Sequence, residues 1–151
     1  MAEHRARIAW QRTTETFTYP TYSRDHDWTF GSGQTIGASA APEFLGTPTR
    51  VNPEEALVAA LSSCHMLTFL AIAAKRNFVV DSYHDEAVGT LAKNAQRRLA
   101  ITECVLRPRV VFSGTPPSAE QLAALHHEAH EHCFIASSVL TAVRIEPATA
   151  S

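Results

Sequence analysis

Cysteine, methionine and tryptophan are scarce in this 151-residue chain, at three, two and two residues. Three cysteines (Cys64, Cys104 and Cys133) are an odd and sparse set, which excludes the disulfide framework of a small secreted domain. Charge is also thin, at 19% of residues with a net of −2, and no run of Lys or Arg occurs. Phosphate binding needs clustered cations, so neither a nucleic acid nor an anionic membrane is expected as a partner. No apolar stretch follows His4, Arg5 and Arg7, which predicts no export signal and a cytoplasmic protein. Repeats and low-complexity segments are absent. What remains is ordinary globular usage, 45% hydrophobic, at a length that suits one domain.

The segment Ala56–Ala74 carries no formal charge over nineteen residues. That approaches a membrane-spanning length. Ser62, Ser63, Cys64, His65 and Thr68 sit in its middle and no second such segment exists, so a buried helix is expected instead of a span. A helix apolar on nearly all sides in so short a chain predicts a second subunit covering part of it. Its start is well marked. Asn52 suits the N-cap, Pro53 the first helical position, and Glu55 the reciprocal place of a capping box. Lys75 and Arg76 suit the carbonyl end, with Asn77 as the stop.

Around this helix the pattern predicts strands. Arg5–Gln11 alternates about Ile8 and Trp10, and Asp27–Phe30 and Gln34–Gly37 flank a Gly31-Ser32-Gly33 turn. Ala38–Val51, with Pro42, Gly46 and Pro48, reads as irregular. Val79–Leu91 and Leu99–Phe112 read as two long strands joined by a turn over Lys93–Arg98, with Pro108 implying an edge or a bulge. Ser118 and Gln121 open a second helix that carries Leu122, Leu125, Ala129 and Cys133 on one face. Thr141–Ile145 is a last short strand. The order β-β-β-α-β-β-α-β predicts an α+β fold with mostly antiparallel pairing.

Cys104 lies among Ile101, Val105 and Leu106 and is expected to pack as a small apolar group. Cys64 and Cys133 admit two readings, as plain buried thiols or as a redox pair in which one attacks and the other resolves. A pair needs an ionised attacker. An unperturbed thiol is about 3% thiolate at pH 7, and a pKa of ~6 requires about 3.4 kcal/mol of differential stabilisation. Cys64 stands twelve positions from the Asn52 cap, beyond the reach of the helix dipole. Either the helix breaks near Ser62-Ser63 or a cation approaches. Arg24, in the polar loop, and Arg50, just before the cap, are the candidates, because arginine keeps its charge when desolvated. Glu54 is the spare carboxylate. It either complements the dipole or holds the arginine, and it lies ~15 Å along a straight helix from Cys64.

The run Asn52-Pro53-Glu54-Glu55-Ala56-Leu57-Val58-Ala59-Ala60-Leu61-Ser62-Ser63-Cys64 resembles the signature segment of the OsmC/Ohr family, the osmotically inducible and organic hydroperoxide resistance proteins. Cys133, in His130-Glu131-His132-Cys133-Phe134-Ile135, is similar to that family's second cysteine. The resemblance implies an OsmC-like fold, with antiparallel sheets around a central buried helix, and an intertwined homodimer. It implies a thiol peroxidase with no cofactor, neither metal nor flavin. Cys64 becomes the peroxidatic and Cys133 the resolving cysteine, Glu54 the partner of the active-site arginine, and Ser23-Arg24-Asp25 the place of that arginine. The implied partners are a hydroperoxide substrate and a dithiol reductant such as a lipoylated protein. His65 after the first cysteine and Phe134-Ile135 after the second depart from the aromatic and the proline usual in the hydroperoxide-resistance branch.

A metal site is the rival from another class. His126, His130 and Cys133 fall at i, i+4 and i+7, and His65 is a possible fourth ligand. Its plain counterpart is a solvated helix face with His126, His127 and Glu128 outward. A non-catalytic, redox-sensing dimer is the third reading.

Overall fold

The computed structural model describes residues 1–148. The backbone falls into two compact units that divide within the first helix, Met1–Ala56 and the remainder from Leu57 on.

In the N-terminal unit, β1 (Ala6–Ala9), β2 (His26–Phe30) and β3 (Thr35–Ala38) form an antiparallel sheet in that order. The β2–β3 turn runs through Gly33 at φ 88°, a conformation open to glycine at no steric cost. The expected first strand, Arg5–Gln11, is shorter at both ends. The segment expected to be irregular holds a 3-10 turn over Pro42–Phe44. Gly46 is required just beyond it, since a Cβ there would fall 1.6 Å from the Ala40 carbonyl oxygen.

Helix α1 (Pro53–Lys75) starts and stops where its sequence predicts. Glu55 N–H donates to Asn52 Oδ1 at 2.8 Å, and Asn52 N–H donates back to Glu55 Oε2 at 3.4 Å. At the other end Asn77 takes φ 60°, while Phe78 N–H reaches the Ala73 carbonyl and Asn77 N–H that of Ala74. These two bonds make a Schellman ending that satisfies otherwise orphaned carbonyls. No break occurs at Ser62-Ser63.

In the second unit, each of the two expected long strands is divided. Val79–Leu91 becomes β4 (Val79–Asp85) and β5 (Val88–Lys93), and Leu99–Phe112 becomes β6 (Leu99–Leu106) and β7 (Pro108–Ser113). The halves part company, β4 pairing with β7 and β5 with β6. Two features cause the division. Pro108 has no N–H with which to continue a ladder. Arg107 N–H turns instead to Asp85 Oδ1 at 2.6 Å. Helix α2 (Ala119–Glu131) begins with the predicted capping box between Ser118 and Gln121. It ends before Cys133, which lies two residues past Glu131 in the approach to a 3-10 turn over Ala136–Ser138. The last strand, β8 (Ala142–Ile145), joins β6 in parallel, whereas the other paired strands among the described residues run antiparallel.

The core of this unit has two clusters. Phe69, Ile72 and Ala73 of α1 meet Leu125 and Ala129 of α2, flanked by β4 and β7 side chains. Leu61 of α1 meets Cys104 and Leu106 of β6. Cys104 is fully buried, as expected of an apolar filler. The helix is not buried all round within one chain. Leu61, His65, Phe69, Ile72 and Ala73 are covered, whereas Ala59, Ser63, Leu67 and Ala71 form an exposed stripe at four-residue spacing, Leu67 at 60% exposure. By length and a mean hydropathy of 1.9, α1 also meets the requirement for crossing a membrane.

Candidate active site

The cysteines distant in sequence come together. Cys64 projects from the middle of α1 and is half-buried; Cys133 is 1% exposed. The two thiols are neighbours, near enough for Cys64 to bear on the protonation of Cys133. Burial pushes the Cys133 thiol up, and Cys64 pushes it further in the same direction. Both effects favour the protonated form of Cys133. No bond joins the two sulfurs; all three cysteines are free thiols.

Each cysteine is held from behind. Cys133 Sγ accepts from Ala136 N–H at 3.4 Å, and its carbonyl accepts from Ser137 N–H and Ser137 Oγ, both at 3.0 Å. The Cys64 carbonyl accepts from Thr68 Oγ1 at 2.9 Å, a bond within α1. Two residues earlier, Ser62 Oγ donates to Asp85 Oδ2 at 2.5 Å. Asp85 thus ties α1 to the point where β6 gives way to β7.

Beside Cys64, His65 faces inward to meet His126 of α2, with His65 Nε2 3.1 Å from His126 Nδ1. Their rings are parallel within 7° with centres 5.4 Å apart. That separation is the nitrogen–nitrogen distance plus two ring radii, so the rings lie edge to edge, joined by an N–H···N bond, and not face to face. Phe69, one turn beyond His65, covers the face of His126 at 4.4 Å. Burial lowers both imidazoles to about 4; His130 lowers His65 further, and His65 does the same to His126. The expectation of an outward His126 is thereby corrected, since it is 3% exposed while the His127 side chain is 73% exposed. The metal reading fares no better. Among the described residues no three His, Cys, Asp or Glu side chains converge on a point that could hold an ion. His65 and His126 turn their nitrogens on each other.

The arginines and Glu54 belong to the N-terminal unit. Arg24 donates to the Tyr22 and Tyr19 carbonyls, each at 2.5 Å, and its guanidinium lies 3.8 Å over the Tyr22 ring. Arg50 pairs with Asp25 at 3.4 Å and, more loosely, with Asp27 at 4.0 Å. Asp25 also accepts from Thr47 Oγ1 at 2.6 Å, and this bond chiefly holds its carboxyl below the usual range. Glu54 Oε2 is buried and has no hydrogen-bond partner among the described residues.

Sequence reasoning did not find Ser62–Asp85, and it brought His65 and His126 together only as possible metal ligands, not as hydrogen-bond partners. A signal for the second was present, because His126 shares the inward face of α2 with Leu122 and Ala129, one turn away on either side.

Comparison with known proteins bears on the family and the fold. The family model described as OsmC-like protein matches residues 46–148. No curated protein matches the sequence. An OsmC-like protein of unknown function from Vibrio cholerae is 52% identical, with a TM-score of 0.94, and the match covers 98% of this chain and 100% of that one. Two further solved structures share the fold at low identity. An organic hydroperoxide resistance protein OsmC from Legionella pneumophila is 13% identical, with a TM-score of 0.71 over 99% of this chain and 98% of that one. The organic hydroperoxide resistance protein OhrB of Bacillus subtilis is 16% identical, with a TM-score of 0.67 over 97% and 98%. With a family match over most of its length and a relative of the same size at half identity, the chain belongs to the OsmC-like family.

Proposed function

We propose that this chain is a thiol-dependent hydroperoxide reductase working through Cys64 and Cys133. The observation that carries the reading is that two thiols 69 positions apart in sequence are neighbours in space, one half-buried on a helix, the other buried with its thiol pushed up. The Cys64 thiolate attacks the distal oxygen of a hydroperoxide, the O–O bond breaks, and the alcohol leaves with a proton. A sulfenic acid remains on Cys64. The Cys133 sulfur attacks it, water departs, and a Cys64–Cys133 disulfide forms. An external dithiol, such as that of a lipoylated protein, restores both thiols by exchange and is itself oxidised to a disulfide. These steps require a reducing compartment, as in the cytoplasm, to regenerate the dithiol.

Arg24 is assigned as the cation that stabilises the thiolate and the charge developing on the departing oxygen, with Glu54 as its carboxylate partner. Its present bonds to Tyr19 and Tyr22 make release of that loop part of the cycle. The unpaired Glu54 oxygen and the exposed Ala59-Ser63-Leu67-Ala71 stripe favour a homodimer, in which a second copy covers α1.

Hydroperoxide consumption with a dithiol reductant tests the reading. Cys64→Ser abolishes turnover; unchanged turnover overturns the assignment. A single stoichiometric oxidation of the native chain, with no turnover, identifies a redox sensor instead.

A further inference from the structure

We propose that the His65–His126 hydrogen bond is a positioning device that sets Cys133 against Cys64. The inference rests on the reading of those cysteines as a redox pair. His65 follows Cys64 directly on α1, and His126 stands on α2 seven residues before Cys133, which lies just past the end of that helix. The 3.1 Å nitrogen–nitrogen bond therefore joins the helix that carries Cys64 to the helix whose end leads into Cys133. Phe69 closes over the His126 ring from the same helix, so α2 is gripped at one residue from two successive turns of α1. An apolar contact permits α2 to roll or slide, whereas an in-line N–H···N bond fixes both its rotation and its height.

The pair is also committed to this task by its tautomers. Whichever ring donates, only one proton lies between His65 Nε2 and His126 Nδ1. The outward nitrogens, His65 Nδ1 and His126 Nε2, have no hydrogen-bond partner among the described residues. The inter-ring bond is thus the one hydrogen bond that pays for burying two imidazoles. The titratable groups that bear on the pair are His130 and Asp85, both toward His65. Their opposing effects do not overcome burial, and both rings remain neutral at pH 7.

The test uses thiol–disulfide exchange, which needs no peroxide. Reduced protein plus glutathione disulfide gives the Cys64–Cys133 disulfide and two glutathione thiols; the two sulfurs lose two electrons and glutathione disulfide gains them with two protons. The equilibrium constant measures the effective concentration of one sulfur at the other. His126→Phe and His65→Phe are each expected to lower it at least tenfold, and the double variant no further than either single one. A wild-type equilibrium in folded His126→Phe, or losses that simply multiply in the double variant, overturns the proposal. An independent readout is the imidazole proton between the rings, expected in the NMR spectrum of the native protein as an exchange-protected resonance coupled to two ring nitrogens. Its absence also overturns the proposal, even if both variants fail to fold. A native protein that forms the disulfide but reduces no hydroperoxide refutes the proposed function and leaves this inference standing. One that forms no Cys64–Cys133 disulfide refutes both.

Discussion

Asp85 accepts from Ser62 Oγ on α1 at 2.5 Å and from Arg107 N–H at 2.6 Å, so one carboxylate holds the cysteine-bearing helix against the break between two strands. Losing it strands a backbone donor and a hydroxyl together. Asp85→Ala is expected to cost about 2–4 kcal/mol, and Ser62→Ala, which leaves Asp85 bonded to Arg107, about 1 kcal/mol. Urea denaturation midpoints check both values.

Acid should loosen the fold through the histidine pair. In the unfolded chain His65 and His126 take up protons near pH 6.5; folded, they do so only at about 4. Between these values the unfolded state holds more protons, so stability falls as pH drops and is regained as it rises. Approaching pH 5 the pair contributes a slope of about 2 kcal/mol per pH unit. Melting temperatures of the native protein and His126→Phe across pH 4.5–7 will reveal it as a shallower dependence in the variant.

Gly89 of β5 lies against α1, and a Cβ there would stand 2.4 Å from Val58 Cγ2. Valine has no flexible end to withdraw. Gly89→Ala is therefore expected to destabilise by about 1–3 kcal/mol, and trimming the neighbour in Gly89→Ala/Val58→Ala should recover part of the loss. A denaturant series on the three proteins measures this.

The three thiols should differ in reactivity. Burial pushes the Cys104 and Cys133 thiols up, and both are almost wholly covered, whereas Cys64 is half-buried. Brief alkylation with iodoacetamide at pH 7 is expected to label Cys64 first and Cys104 only after denaturation, as read by peptide mass spectrometry. Early labelling of Cys104 would contradict its place in the core.

The ends of the helices were legible because caps are local. Asn52-Pro53 with Glu55, and Ser118 with Gln121, satisfy backbone groups within four residues, and distant packing has little say in them. The strand divisions were harder to read. Pro108 marked an irregularity, but that Arg107 would surrender its ladder bond to Asp85 depends on residues 22 positions apart. The redox pairing of Cys64 with Cys133 is what the Asn52–Cys64 signature implies, since spacing alone favours two plain buried thiols. Nor could composition disclose His126 as an inward residue. Four histidines in the seven positions from 126 to 132 look like a wet surface until the partner on α1 is known. Arg24 was visible as a free cation, yet its bonds run to carbonyls and an aromatic face that only the loop's own path brings near.

The parallel union of β8 with β6 matches Glu103 to Ala142 and carries on to Leu106 and Ile145. During synthesis, β6 can zip to β5 as a hairpin at once, but its far edge stays bare until β7, α2 and the Ala136–Ser138 turn have all emerged. That edge leads into Cys104, Val105 and Leu106, a sticky template for any other nascent chain. Ribosome-bound forms lacking the final strand should thus be the most prone to clump, and the most in need of a chaperone's protection.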